Sequence, residues 1–114
     1  MGYRSQVVLA VSKEVMPQFL TTLAKSPEAK ELCLVHVDKK IDNYDERGGF
    51  LFMWDHIKWY DSYECVEALI DFMDWCDSEN DEDYRFVRTG EEMDDNEERG
   101  YGFTDIYISR SIEV

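Results

Sequence analysis

Proline and cysteine are both scarce in this sequence, and each scarcity excludes something. Two prolines in 114 residues, with 44% hydrophobic and 14% aromatic content, exclude a generally disordered chain. Three cysteines, Cys33, Cys65 and Cys76, form no CxxC pair and are odd in number. That argues against a disulfide framework, and the apolar neighbours of each suggest buried, reduced thiols. No apolar run approaches the ~20 residues that cross a bilayer. The run Val7–Val11 is too short for a signal-peptide core, and Gly2 with Gln6 does not complete a myristoylation pattern. A cytoplasmic protein with no membrane partner is expected. The length suits one domain, 1–114, large enough to bury a core without disulfides or metal.

The largest deficit is of positive charge. The net charge is −14, yet residues 1–58 hold eight acids and eight bases, and residues 99–114 hold two of each. The whole excess therefore lies in residues 59–98, where sixteen acids face only Arg85 and Arg88. From Trp59 to Tyr84 there are ten acids and no base.

Recognisable enzyme signatures are also missing. The sequence contains no P-loop, GxGxxG, GxSxG or HExxH motif, and neither His36 nor His56 adjoins a nucleophile motif. Asp77 to Asp83 alternates oxygen ligands like the start of a calcium loop. Glu82 occupies the position of the required Gly, however, and Arg88 that of the bidentate Glu, which excludes an EF-hand. Arg99-Gly100-Tyr101-Gly102-Phe103 resembles the opening of an RNA-recognition motif. Thr104 and Ile106 then depart from that motif, and a chain this acidic repels phosphate, so a turn is expected. No catalytic residue, metal site, cofactor or direct nucleic-acid contact is expected.

What is present is a pattern of alternating elements. Gln6–Val11 predicts a central strand, and the helical spacing of Val15, Met16, Phe19, Leu20 and Leu23 predicts a helix after it. Ser12 is its candidate cap, although Pro17 allows a later start. Ser26-Pro27-Glu28 would end that helix or cap a short second piece. Strands are predicted at Leu32–Val37, Phe50–Trp54, Tyr84–Arg88 and Asp105–Val114, with a bulge or bend at Asp55–Lys58 and a long connection over Asp38–Gly49. Gly90–Gly102 is expected to be an acidic loop. Asp61 and Glu64 have capping-box spacing before a helix that runs to about Cys76 and buries Val66, Leu69, Ile70 and Met73, with Phe72 and Cys76 flanking. The order β-α-β-β-α-β-β predicts an α+β, ferredoxin-like fold with a mainly antiparallel sheet and two helices on one face.

The candidate binding residues lie on the second helix. Glu64, Glu67, Asp71 and Asp74 are spaced 3, 4 and 3 and share its outer face. Ordinary outer faces mix signs, whereas here like charges are neighbours, and Asp77 and Glu79 oppose the dipole at the helix end. Four carboxylates over ~15 Å approach the ~3.4 Å phosphate spacing of one DNA strand. With Asp77, Glu79, Asp81, Glu82 and Asp83, they would fit a basic groove built for nucleic acid. Among the aromatics beside them, Trp59 and Tyr63 would anchor a protein interface if exposed.

Gly2-Tyr3-Arg4-Ser5, Trp54-Asp55-His56-Ile57-Lys58-Trp59-Tyr60 and Arg85-Phe86-Val87-Arg88-Thr89-Gly90-Glu91 give the chain its resemblance to small acidic proteins encoded by bacteriophages and prophages. That resemblance implies a bacterial host cytoplasm and an anti-defence role, against CRISPR effectors first and restriction enzymes second. The expected function is thus non-enzymatic inhibition of a host protein with a basic nucleic-acid-binding groove. Two alternatives stay open: an interaction module anchored by aromatics without mimicry, and an enzyme of unknown chemistry.

Overall fold

The computed structural model describes residues 3–42, 48–79, 81–92, 94–103, 106–108 and 112–113. Ser5–Val11 forms β1, which pairs antiparallel with β3 (Phe50–Ile57) on one side and β4 (Tyr84–Thr89) on the other. β2 (Lys39–Asp42) extends the sheet beyond β3, and β5 (Asn96–Arg99) extends it beyond β4. The result is a five-stranded antiparallel sheet of order β2-β3-β1-β4-β5 in an α+β fold.

The apolar run of β1 explains its central place. Val7 to Val11 are all fully buried because both sheet faces are covered. Val7, Leu9 and Val11 meet Phe52, Trp54, Tyr84 and Phe86 on the face that carries the helices. Val8 and Ala10 meet Leu51, Val87, Phe103 and Ile106 on the other face, so the segment after β5 covers that side. The irregularity expected after Trp54 is present: the β1–β3 register shifts between Ser5 and Val7, opposite Ile57 and Trp54.

Among the described residues three helices, where two were expected, pack on one face: α1 (Met16–Lys25), α2 (Pro27–Leu34) and α3 (Glu64–Glu79). The strand predicted at Leu32–Val37 is corrected by α2. Ser26 caps that helix by accepting the Ala29 amide at 3.3 Å, Pro27 occupies its first turn, and Ala29, Leu32 and Cys33 turn inward at helical spacing. A six-residue apolar run satisfies either period, and the cap decided between them. The true second strand, Lys39–Asp42, is a polar edge strand with little apolar alternation to betray it.

Smaller boundaries also move. Helix α1 begins after Val15, and Ser12 instead binds Asp83 Oδ1 at 2.9 Å through its hydroxyl. Helix α3 begins at Glu64, its first bond running from the Glu67 amide to the Tyr63 carbonyl, so Asp61 lies upstream in a turn. It continues to Glu79, which makes Asp77 and Ser78 helical rather than loop. Within the expected acidic loop Gly90–Gly102 lies β5. It ends at Arg99, followed by Gly100, whose φ of 86° suits glycine and where a Cβ would collide with the Tyr84 carbonyl.

The strand predicted over Asp105–Val114 is replaced, among the described residues, by a short ladder of β6 (Tyr107–Ile108) with β7 (Ile112–Glu113), separate from the main sheet. Predicted positions Asp105 and Val114 lie outside the described residues. All three cysteines are free, and burial pushes the Cys33 and Cys76 thiols up to about 12. No helix among the described residues is long and apolar enough to cross a membrane.

Candidate protein-binding surface

Helix α3 is two-faced. Val66, Leu69, Phe72, Met73 and Cys76 are buried against the sheet and the other helices. Ile70, expected in that stripe, is only half-buried. Glu64, Glu67, Asp71 and Asp74 are all exposed on the outer side, as their spacing dictates.

The two halves of that acidic face differ electrostatically. At the C-terminal end, where the dipole disfavours negative charge, Arg99 of β5 reaches across to bind Asp74 at 2.8 Å and Asp77 at 2.7 Å. The Tyr84 hydroxyl also donates to Asp77 at 2.5 Å. Burial alone would raise the Asp77 carboxyl. The Tyr84 and Arg99 hydrogen bonds outweigh it and hold that carboxyl below the usual range. The same burial and the Asp77 bond push the Tyr84 phenol upward.

At the N-terminal half, Glu64, Glu67 and Asp71 have no ion pair among the described residues. Together with Gln18, Thr22 and Lys25 they line a groove of about 380 Å³ between α1 and α3. Lys25 is the single cation lining that groove among the described residues. Of its acids, Glu64 and Glu67 lie in the first turn of the helix, where the dipole favours them, and Asp71 lies beyond it.

Of the remaining predicted acids, Asp83 is held through its side chain, which accepts from Ser12, and Asp81 through its backbone carbonyl, which accepts the Tyr101 amide at 2.8 Å. Glu79 and Glu82 are exposed, while Asp81 is half-buried. Asp95, just before β5, and Glu97 and Glu98 within it are held by arginines. Arg88, nearly buried, binds Asp95 at 2.6 Å and Glu97 at 2.7 Å and donates to the Ser5 hydroxyl at 3.0 Å. The Tyr3 hydroxyl adds a bond to Asp95 at 2.6 Å; Arg88 first and Tyr3 second keep the Asp95 carboxyl low. Arg85 holds Glu98 at 3.1 Å. Glu98 of β5 lines one cleft with Asp77 of α3 and Asp81, and Arg85 and Arg99 stand among those acids.

Of the predicted aromatic anchors, Trp59 is 7% exposed. It lies in the core with ring centroids 5.8 Å from Trp54 and 5.7 Å from Phe86. Tyr63 is 40% exposed and rests 5.1 Å from the Tyr60 ring, just ahead of the acidic face. Among the described residues no group of His, Cys, Asp and Glu is arranged to hold a metal ion.

Sequence reasoning missed Arg99. Its signal was faint, a lone cation one residue outside the acidic stretch, and only strand pairing beside Phe86 brings it to the helix end. Comparison with protein-family models, curated proteins and solved structures finds no match to the chain.

Proposed function

We propose that this protein works without catalysis, by presenting the N-terminal half of the α3 face to a basic groove on a nucleic-acid-handling protein. One observation carries the reading: Glu64, Glu67 and Asp71 stand exposed on one helix face, while Asp74 and Asp77 further along the helix are bound to Arg99. An acid needed for folding would be expected to gain a partner, as Asp77 and Asp95 do. Three that gain none among the described residues are free for an external cation. Tyr63, exposed at the same end of the helix, supplies an apolar contact at the rim of that surface. The resemblance to acidic phage proteins supports a bacterial defence effector, of the CRISPR or restriction type, as the partner, with the host cytoplasm as the setting.

The finer fold description belongs to the same proposal. Strands β1 to β4 follow a ferredoxin-like path with β5 added at the edge. It is supported by the fully antiparallel pairing and by helical connections that skip one strand from β1 to β2 and from β3 to β4.

The test is affinity capture from a bacterial lysate with the native chain and an E64Q/E67Q/D71N variant as baits, at roughly 50 and 200 mM salt. Nucleic-acid-binding proteins retained only by the native bait, and released at the higher salt, are the expected result. Equal capture by both baits at both salts would contradict the reading.

A further inference from the structure

Both histidines, which are far apart in sequence, converge on one cleft at the opposite charge extreme from the α3 surface. The cleft encloses about 380 Å³, within the range of ~300–1,000 Å³ usual for small-molecule sites. Its floor is apolar: Leu32, Trp54 and Val66 are buried beneath it, and Ile57 is half-buried. Around the rim stand Arg4, His36, His56 and Lys58, four groups able to bear positive charge. In a chain of net charge −14 that concentration is the reverse of the background.

Among the described residues the one lining carboxylate is that of Asp38, and the fold already uses it. Its Oδ2 accepts the Asp55 amide at 2.7 Å, while the Asp38 amide donates to the Met53 carbonyl at 3.0 Å, fixing the entry to β2. Glu31 lies 3.9 Å from His36 on the outer side, a long contact between two largely exposed groups. Arg4 is positioned by the backbone: its amide donates to Glu91 and its guanidinium to the His56 carbonyl at 3.2 Å, which leaves the other guanidinium N–H groups to face the cleft or solvent. The Trp54 ring N–H is satisfied by the Leu32 carbonyl at 3.1 Å, so the indole, 1% exposed, backs the cleft with no donor left to hydrate.

We propose that this cleft binds a small organic anion with an apolar body, such as an aryl or alkyl carboxylate. The body would lie on Trp54, Leu32, Ile57 and Val66, and the carboxylate would be held by Arg4 and Lys58. Charge-assisted bonds of this kind are about twice as strong as neutral ones, and the low-dielectric floor strengthens them further. Tyr63, just ahead of α3, and Cys65 in its first turn close one side. The site does not rest on the acidic-surface reading: Tyr63 borders both, but the charged groups are different residues of opposite sign.

The probes are 4-phenylbutyrate and its uncharged counterpart 4-phenylbutan-1-ol, followed by the Trp54 indole N–H resonance in amide-correlation spectra of the full chain. Saturable shifts of Trp54 and Val66 with the carboxylate, and binding of the alcohol about tenfold weaker or more, are expected. An R4Q/K58Q variant should lose about tenfold or more in carboxylate affinity while binding the alcohol unchanged. E67Q/D71N, which alters only the acidic face, should bind the carboxylate like the native chain. Absence of saturable shifts, equal affinity for acid and alcohol, or an R4Q/K58Q variant that binds as the native chain does would each overturn the proposal.

Discussion

Arg99 shows at the scale of a single residue how the acidic surplus is made compatible with folding. Its guanidinium offsets two carboxylates at the end of a helix whose dipole already repels them. The groups are partly exposed, so solvent screens the interaction, and R99Q should cost only about 1 kcal/mol in urea denaturation. The pH dependence has a definite sign. Because Asp77 is held below its ordinary value in the fold, it adds stability above the unfolded carboxylate pKa of about 3.9. That contribution disappears as pH falls through the lower folded value. Urea midpoints of D77N should therefore fall less steeply than those of the native chain on acidification below about pH 4. An identical acid limb in both proteins would contradict the role given to Asp77.

Among the elements, α2 marks the boundary of what sequence patterning can decide. Leu32-Cys33-Leu34-Val35-His36-Val37 has the composition of a strand, and only the Ser26-Pro27-Glu28 cap upstream argues for a helix. The capping bond is thus expected to matter: S26A should lower stability by about 1 kcal/mol, measured by thermal or urea unfolding, while S26D should retain most of it. The central strand β1 and helix α3 were legible because burial on one or both faces imposes an apolar period. Edge strands β2 and β5 were not, because Lys39–Asp42 and Asn96–Arg99 pair through backbone groups and leave their side chains largely in water. The candidate surface was legible in the same uneven way. Helical spacing places Glu64, Glu67, Asp71 and Asp74 on one face, but no local pattern reveals that Arg99 removes Asp74 from the uncompensated set, or that Trp59 lies in the core. Trp59→Ala should accordingly cost about 3–5 kcal/mol of stability in urea unfolding, as a core truncation does.

For the molecule as a whole, charge is sorted into zones. A neutral N-terminal half supplies two helices and the cationic rim of one cleft, arginines pin the acids of the sheet edge, and the outer face of α3 keeps its negative charge. Opposing terms set what that face means for stability. Glu64 and Glu67 gain ~0.3–1 kcal/mol each from the helix start, while each like-charge neighbour pair loses ~0.2–0.5 kcal/mol. The terms nearly cancel, so E64Q/E67Q/D71N should unfold within about 0.5 kcal/mol of the native chain. A surface that neither stabilises nor destabilises the fold leaves its charge available for recognition.

The most direct test of that claim is the affinity for a captured nucleic-acid-binding partner, measured for native and E64Q/E67Q/D71N chains across a salt series from roughly 50 to 200 mM. The acidic-face account predicts a steep linear fall of log affinity with log salt for the native chain, and a loss of about a hundredfold with a shallower slope for the variant. Equal affinities with equal slopes would show that the α3 acids do not form the interface.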